Sequence, residues 1–220
     1  MFKETLAVFK KDILLEWKTR FGINSVIAFV FSSLLLVIFS MRAQQLTPTS
    51  RSGLLWVIIV FAALSSLSRS FVSETERRTF DYLRLYARAT PVYLGKLLFN
   101  YGFTLLISIV SLAAYVVLLD VSVASWLITF MAILLGSLGL ASVSTLLAGI
   151  IAQADRKGSI FSVIAMPLMI PLLLLIVRLS KAGFTDGFLP GVYGDLTGIT
   201  AFCGVMITLS ILLFDFIWDE

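Results

Sequence analysis

The chain has 220 residues, 59% hydrophobic and 14% charged, with no histidine, one cysteine and a formal net charge of +4, and its mean hydropathy is +1.01. A soluble domain of this length needs more polar surface than that to stay in water, so a water-soluble globular fold is excluded. Without histidine, a serine–histidine hydrolase, an H-E-x-x-H metalloprotease and a histidine-ligated haem site are excluded too, and the single Cys203 allows no internal disulfide.

The chain opens with MFKETLAVFKKDILLEWKTR, in which Phe2, Leu6, Phe9, Ile13 and Trp17 recur at three- and four-residue steps. They line one helical stripe, with Lys3, Glu4, Lys10, Lys11 and Lys18 mostly off it. This pattern predicts an amphipathic helix over 1–20 that lies in the cytoplasmic interface, apolar side down, with Trp17 at headgroup depth. An ordinary soluble amphipathic helix shows the same period, but the membrane span that follows argues against it.

Six uncharged runs come next: 21–41, 52–68, 97–119, 121–154, 158–177 and 196–214. Each is near the roughly 20 residues a helix needs to cross about 30 Å of hydrocarbon. The second is short, and an arginine snorkelling at its end (Arg69) extends it. The predicted fold class is therefore an all-α integral membrane protein. Its six transmembrane helices fall at about 21–41, 53–72, 97–119, 124–152, 158–178 and 196–217. The first run is full length and follows a charged helix, so it is expected to stay as an anchor rather than be cleaved as a signal peptide.

Nine of the thirty charged residues fall in SRSFVSETERRTFDYLRLYARATPVYLGK, 68–96, between spans two and three. Drawn as a helix from Glu74 to Arg88, Thr79, Phe80, Tyr82, Leu83, Tyr86 and Ala87 share one face. Glu74, Arg77, Arg78, Asp81, Arg84 and Arg88 share the other. Glu74–Arg78 and Arg77–Asp81 are supporting i,i+4 pairs, and Thr90–Pro91 is expected to end the helix. Such an aromatic face lies on lipid or fills a groove in a partner protein. A solvated, positive-inside loop is the plainer reading, but it needs neither the acidic residues nor the ordered aromatic face.

The fourth span carries GSLGLASVSTLLAG, where Ser137, Ala141, Thr145 and Gly149 (or Ala148) form a small-residue stripe and Gly136 and Gly139 thin the helix. Close helix packing is the default meaning and a substrate path the minority one. In the fifth span Pro167 and Pro171 stand four apart, bend the helix and suit a moving element. Ser65, Ser66 and Ser68 of the second span are expected to hydrogen-bond within the bundle. The external segment 178–195 is rich in Gly and aromatics and suits a short helix or a lid.

Orientation follows from the connections. Thirteen Lys and Arg (Lys3, Lys10, Lys11, Lys18, Arg20; Arg69, Arg77, Arg78, Arg84, Arg88, Lys96; Arg156, Lys157) fall on one side. Four (Arg42, Arg51, Arg178, Lys181) fall on the other. Both termini are thus expected in the cytoplasm, and the basic balance belongs to the membrane surface rather than to a nucleic acid. No phosphate loop is present, since Gly95–Lys96 lacks the upstream glycine and the following Ser or Thr. No carboxylate pair lies inside a span, and buried ionisable residues of the kind that run ion-coupled transport are expected to be lacking. Energy for any work therefore has to come from another chain. The pattern describes a permease half driven by a separate ATPase.

Residues 54–98, LLWVIIVFAALSSLSRSFVSETERRTFDYLRLYARATPVYLGKLL, resemble the CcmB family, the membrane subunit of the haem-exporter ABC complex of cytochrome c maturation. Leu54–Leu55–Trp56, Ser68–Arg69–Ser70–Phe71, Glu74-x-Glu76 and Gly95–Lys96–Leu97 carry the resemblance, and IAMPLMIPLLLLIV and LLGSLGLASVSTLLAGI are similar to that family's later spans. Arg78 stands where the family usually has glycine, and Ala87 near a commonly proline position. The resemblance implies an ABC-2-like homodimer with two copies of a cytoplasmic ATPase subunit, other haem-handling membrane subunits and a periplasmic haem chaperone, in a bacterial inner membrane. It implies a coupling helix over 74–88 that presents Glu74, Arg77, Arg78, Phe80, Asp81, Leu83, Arg84 and Tyr86 to the ATPase. It implies no catalytic residue, no metal and no tightly bound cofactor in this chain: ATP belongs to the partner, and haem is at most the handled molecule. Rival readings are an ABC-2-type permease for a lipid-linked glycan or another hydrophobic compound, and a non-transporting scaffold of a maturation complex. An intramembrane enzyme ranks last, because the usual catalytic groups are absent.

Overall fold

The computed structural model describes residues 1–40, 46–67, 88–152, 159–185 and 191–219, and every regular element among them is a helix. In chain order these are α1 (Phe2–Thr19), α2 (Phe21–Ser40), α3 (Pro48–Leu67), α4 (Ala89–Leu119), α5 (Trp126–Ala152), α6 (Ser159–Phe184) and α7 (Val192–Asp219). The last six are long and apolar enough to cross a membrane. At 1.5 Å per residue, the 20 residues of α2 or of α3 reach about 30 Å, whereas the 31 of α4 reach about 46 Å and overshoot the hydrocarbon.

The extra length of α4 lies at its start. Arg88, read from the sequence as the last residue of an amphipathic helix, is extended (φ −80°, ψ 156°) and stands as the N-cap of α4. Pro91 falls in the first turn, where a missing N–H costs nothing, so the proline opens a span.

The corner between α1 and α2 is built from three residues. Arg20 adopts the left-handed conformation (φ 51°), and its N–H returns to the Glu16 carbonyl at 2.7 Å, ending α1. The Glu16 carboxylate then accepts the Ile23 N–H at 3.0 Å, satisfying one of the four open donors at the start of α2. A side chain at Gly22 would place its Cβ 2.9 Å from Glu16 Oε1, so the glycine lets the carboxylate reach this position.

α5 is the central helix: 67% of its spanning window is buried, against 22% for α2 and for α7 at the rim. Lipid tails are as apolar as leucine, so packing rather than hydrophobicity holds such helices together. The Trp56 ring of α3 lies directly on Gly136 of α5, where no Cβ fits, and Leu172 of α6 lies 2.6 Å from where a Gly139 Cβ would stand. Trp56 is 1% exposed, and its Nε1–H donates to Ser180 Oγ of α6 at 2.7 Å, which satisfies the indole in lipid. At the same end of the bundle the Tyr115 hydroxyl donates to the Arg51 carbonyl at 3.1 Å. The N–H groups of Ala124 and Ser125 both donate to the Gly183 carbonyl at 3.0 Å. These bonds close the 120–125 connection over α6.

Candidate functional site

The opposite end gathers α1, the start of α4 and the end of α7. Thr90 Oγ1 donates to the Asp215 carboxylate at 3.4 Å, and the Tyr93 and Phe214 rings meet at 5.5 Å, so α7 finishes beside the first turns of α4. The segment between α3 and α4 leaves and returns at this same end, since it joins Leu67 to Arg88. Glu74, Arg77, Arg78, Phe80, Asp81, Leu83, Arg84 and Tyr86 lie outside the described residues.

α1 crosses α4 at Gly95. A Cβ there would stand 2.8 Å from the Thr5 carbonyl oxygen and 2.8 Å from Val8 Cβ, so only glycine lets the two helices approach this closely. The approach brings Asp12 to Lys96: Asp12 Oδ2 is 3.2 Å from Lys96 Nζ, with the side chains 7% and 1% exposed. Asp12 Oδ1 also meets Lys11 Nζ at 3.4 Å. The expectation that ionisable residues of the kind that run ion-coupled transport are lacking did not extend to an enclosed ion pair, and this one holds two charges. Neither residue looks buried in the sequence, because Lys96 stands at the edge of an uncharged run and Asp12 amid lysines. Contact between α1 and α4 encloses both, and each charge offsets the desolvation of the other.

A polar seam continues from this pair into the bundle. One turn along α4, Asn100 Nδ2 donates to Thr145 Oγ1 of α5 at 2.8 Å, and Thr145 Oγ1 donates to the Ala141 carbonyl at 2.6 Å. Thr104 and Ser108 donate back to the carbonyls four residues earlier, and Ser137 Oγ of α5 donates to Ser108 Oγ at 3.0 Å. All of these side chains are fully buried. The spacing Lys96, Asn100, Thr104, Ser108 is one helical stripe, and it meets Ser137 and Thr145 of the small-residue stripe on α5, while Gly136 and Gly139 face α3 and α6. Chemically the seam is a set of hydrogen-bonded hydroxyls and one amide whose N–H is paired and whose Oδ1 is buried without a partner among the described residues, and it links α4 to α5.

The remaining predicted positions separate. Phe2 (81% exposed), Leu6, Ile13 and Trp17 (69% exposed) face outward from α1. Phe9 is partly buried and joins Ile13 and Trp17 along a groove against α4. The buried side of α1 is instead Thr5, Val8 and Asp12. Gly136, Gly139 and Ala141 are enclosed on α5, whereas Pro167 and Pro171 lie on the exposed side of α6, which continues as helix through both. Cys203 Sγ is buried against the Leu135 carbonyl at 3.7 Å.

Comparison with known proteins bears on the chain as a whole. The family model described as CcmB protein matches residues 3–216. The chain is similar to Heme exporter protein B of Rhodobacter capsulatus, 26% identical over 201 residues that cover 89% of this chain and 90% of the relative.

Proposed function

The chain belongs to the CcmB family, and from that premise we propose that it is the membrane subunit of an ATP-driven haem exporter serving c-type cytochrome maturation. The single observation that carries the reading is the family match from residue 3 to residue 216 of 220. Six candidate spans and the name of the relative, Heme exporter protein B, agree with it. In this reading the protein sits in a bacterial inner membrane as a homodimer with both termini in the cytoplasm. Two copies of a separate ATPase supply the energy, and a periplasmic haem chaperone and further haem-handling subunits complete the assembly.

The mechanical route uses this chain's own residues. ATPase closure acts on 74–88, with Phe80, Leu83 and Tyr86 giving contact area and Glu74, Arg77, Arg78, Asp81 and Arg84 setting partner and register. The displaced start of α4 carries α1 with it through the Gly95 contact and the Asp12–Lys96 pair, and α5 through Asn100–Thr145 and Ser108–Ser137. Haem is substrate here rather than resident cofactor. With no histidine, an axial ligand from this chain would have to be Met, Tyr or Cys203, and the Cys203 thiol is already engaged in packing. A mechanical role is therefore favoured over tight haem capture.

Deleting the gene in its host and staining membrane proteins for covalently bound haem tests the proposal. Loss of c-type cytochromes, restored by the wild-type gene, is the expected result. Normal cytochromes in a host with no second maturation system would overturn it and favour export of another hydrophobic compound.

A further inference from the structure

Beside the Asp12–Lys96 pair a groove runs between α1, the start of α2 and α4, with a volume of about 210 Å³. α1 contributes Phe9, Ile13 and Trp17, α2 contributes Ile23, and the stacked rings of Phe99 and Phe103, 5.8 Å apart, form the α4 wall. We propose that this groove holds one acyl chain of an anionic phospholipid from the leaflet in which α1 lies.

The lining points to an apolar occupant. Its charged group among the described residues, Glu16, gives one carboxylate oxygen to the Ile23 N–H, and apart from its other oxygen and the Trp17 indole N–H the lining is hydrocarbon. The volume falls below the roughly 300–1,000 Å³ of pockets that enclose compact small molecules. The groove is open along its length, so it can seat part of one chain with the rest lying in the bilayer, and among the described residues no Met, Tyr or Cys lines it to take an iron.

Gly102 adds an independent reason. A glycine inside a helix weakens it. Gly95, Gly136 and Gly139 each repay that by admitting a neighbour, whereas Gly102, like Gly53, Gly194 and Gly204, has nothing within 4 Å of where its Cβ would stand, and of these four it is Gly102 that lines the groove. Gly102 opens onto the groove, where a side chain would occupy the space assigned to the lipid.

Charge selects the headgroup. Lys3, Lys10 and Lys18 of α1 and Arg20 at the corner are exposed, while the nearby carboxylates of Asp12 and Glu16 are spent on Lys96, Lys11 and the α2 cap. A basic interfacial helix of this kind attracts anionic lipid.

Native mass spectrometry of the full chain, purified in mild detergent, delipidated and titrated with phosphatidylglycerol or with phosphatidylcholine of the same chains, tests the proposal. Wild type is expected to retain one phosphatidylglycerol per chain, bound about ten-fold tighter than phosphatidylcholine. Gly102→Leu should weaken retention of both lipids while leaving the thermal melt of the protein in place. Leu106→Trp, at a half-exposed position on the same groove, is a second filling variant should the first fold poorly. Lys10→Gln, Lys18→Gln and Arg20→Gln together should remove the preference and keep the binding. Unchanged retention in both filling variants would overturn the assignment. So would equal affinity for the two lipids, displacement of phosphatidylglycerol by haemin, or a dimer mass that disappears in Gly102→Leu, which would mark a second copy as the occupant.

Discussion

Replacing Asp12 with alanine removes the carboxylate facing an ammonium that is 1% exposed. At 3.2 Å and an effective dielectric of 20, the pair attracts by about 5 kcal/mol, most of which offsets the desolvation of two enclosed charges. The intact pair is thus close to neutral against a well-packed apolar substitute, while either single substitution breaks an enclosed pair and costs up to about 3–5 kcal/mol. Lys96→Met leaves Asp12 with Lys11 at 3.4 Å and should fall at the low end of that range. Asp12→Leu with Lys96→Met should recover most of the loss. Equilibrium unfolding of the detergent-solubilised protein, followed by tryptophan fluorescence, gives all the required free energies. A loss under about 1 kcal/mol for Asp12→Ala, or a double variant as unstable as the sum of its singles, would refute the enclosed pair and the α1–α4 link built on it.

Gly136→Ala should lose about 1–3 kcal/mol by forcing the Trp56 ring aside, and combining it with Trp56→Phe should cost less than the two changes added, read from the same unfolding curves. Glu16→Ala should cost about 0.5–2 kcal/mol by uncapping α2, and should speed tryptic cleavage after Lys18 and Arg20, followed by gel. Asn100→Ala should cost about 1 kcal/mol rather than more, because Thr145 keeps its bond to the Ala141 carbonyl; a melting series against Thr145→Ala measures the coupling.

The six spans, the outward stripe of α1 and the close-packed glycines of α5 were legible because each is written in a local run or period: uncharged length, a three-to-four repeat, small residues in series. The Asp12–Lys96 pair was not. Its members are 84 positions apart, and their burial follows from Gly95 admitting the α1 backbone, a tertiary fact. For the same reason Trp56 read as part of a family signature and not as the ring seated on Gly136, with Ser180 as its acceptor 124 residues away. The polar stripe of α4 lay in plain view at four-residue spacing, yet serine and threonine in a span carry no sign of which neighbour they meet until α5 is in place. Pro91 was readable as a helix boundary, but sequence alone assigned it to the helix before it rather than to the span it opens.

The most direct test of ATPase-driven maturation by this chain is the haem stain of a deletion strain complemented with Phe80→Ala, Leu83→Ala and Tyr86→Ala together, in protein shown to insert and to co-purify with its ATPase. Loss of the c-type cytochromes despite assembly is the result the account predicts. Wild-type cytochrome levels would contradict it and leave the chain as a scaffold.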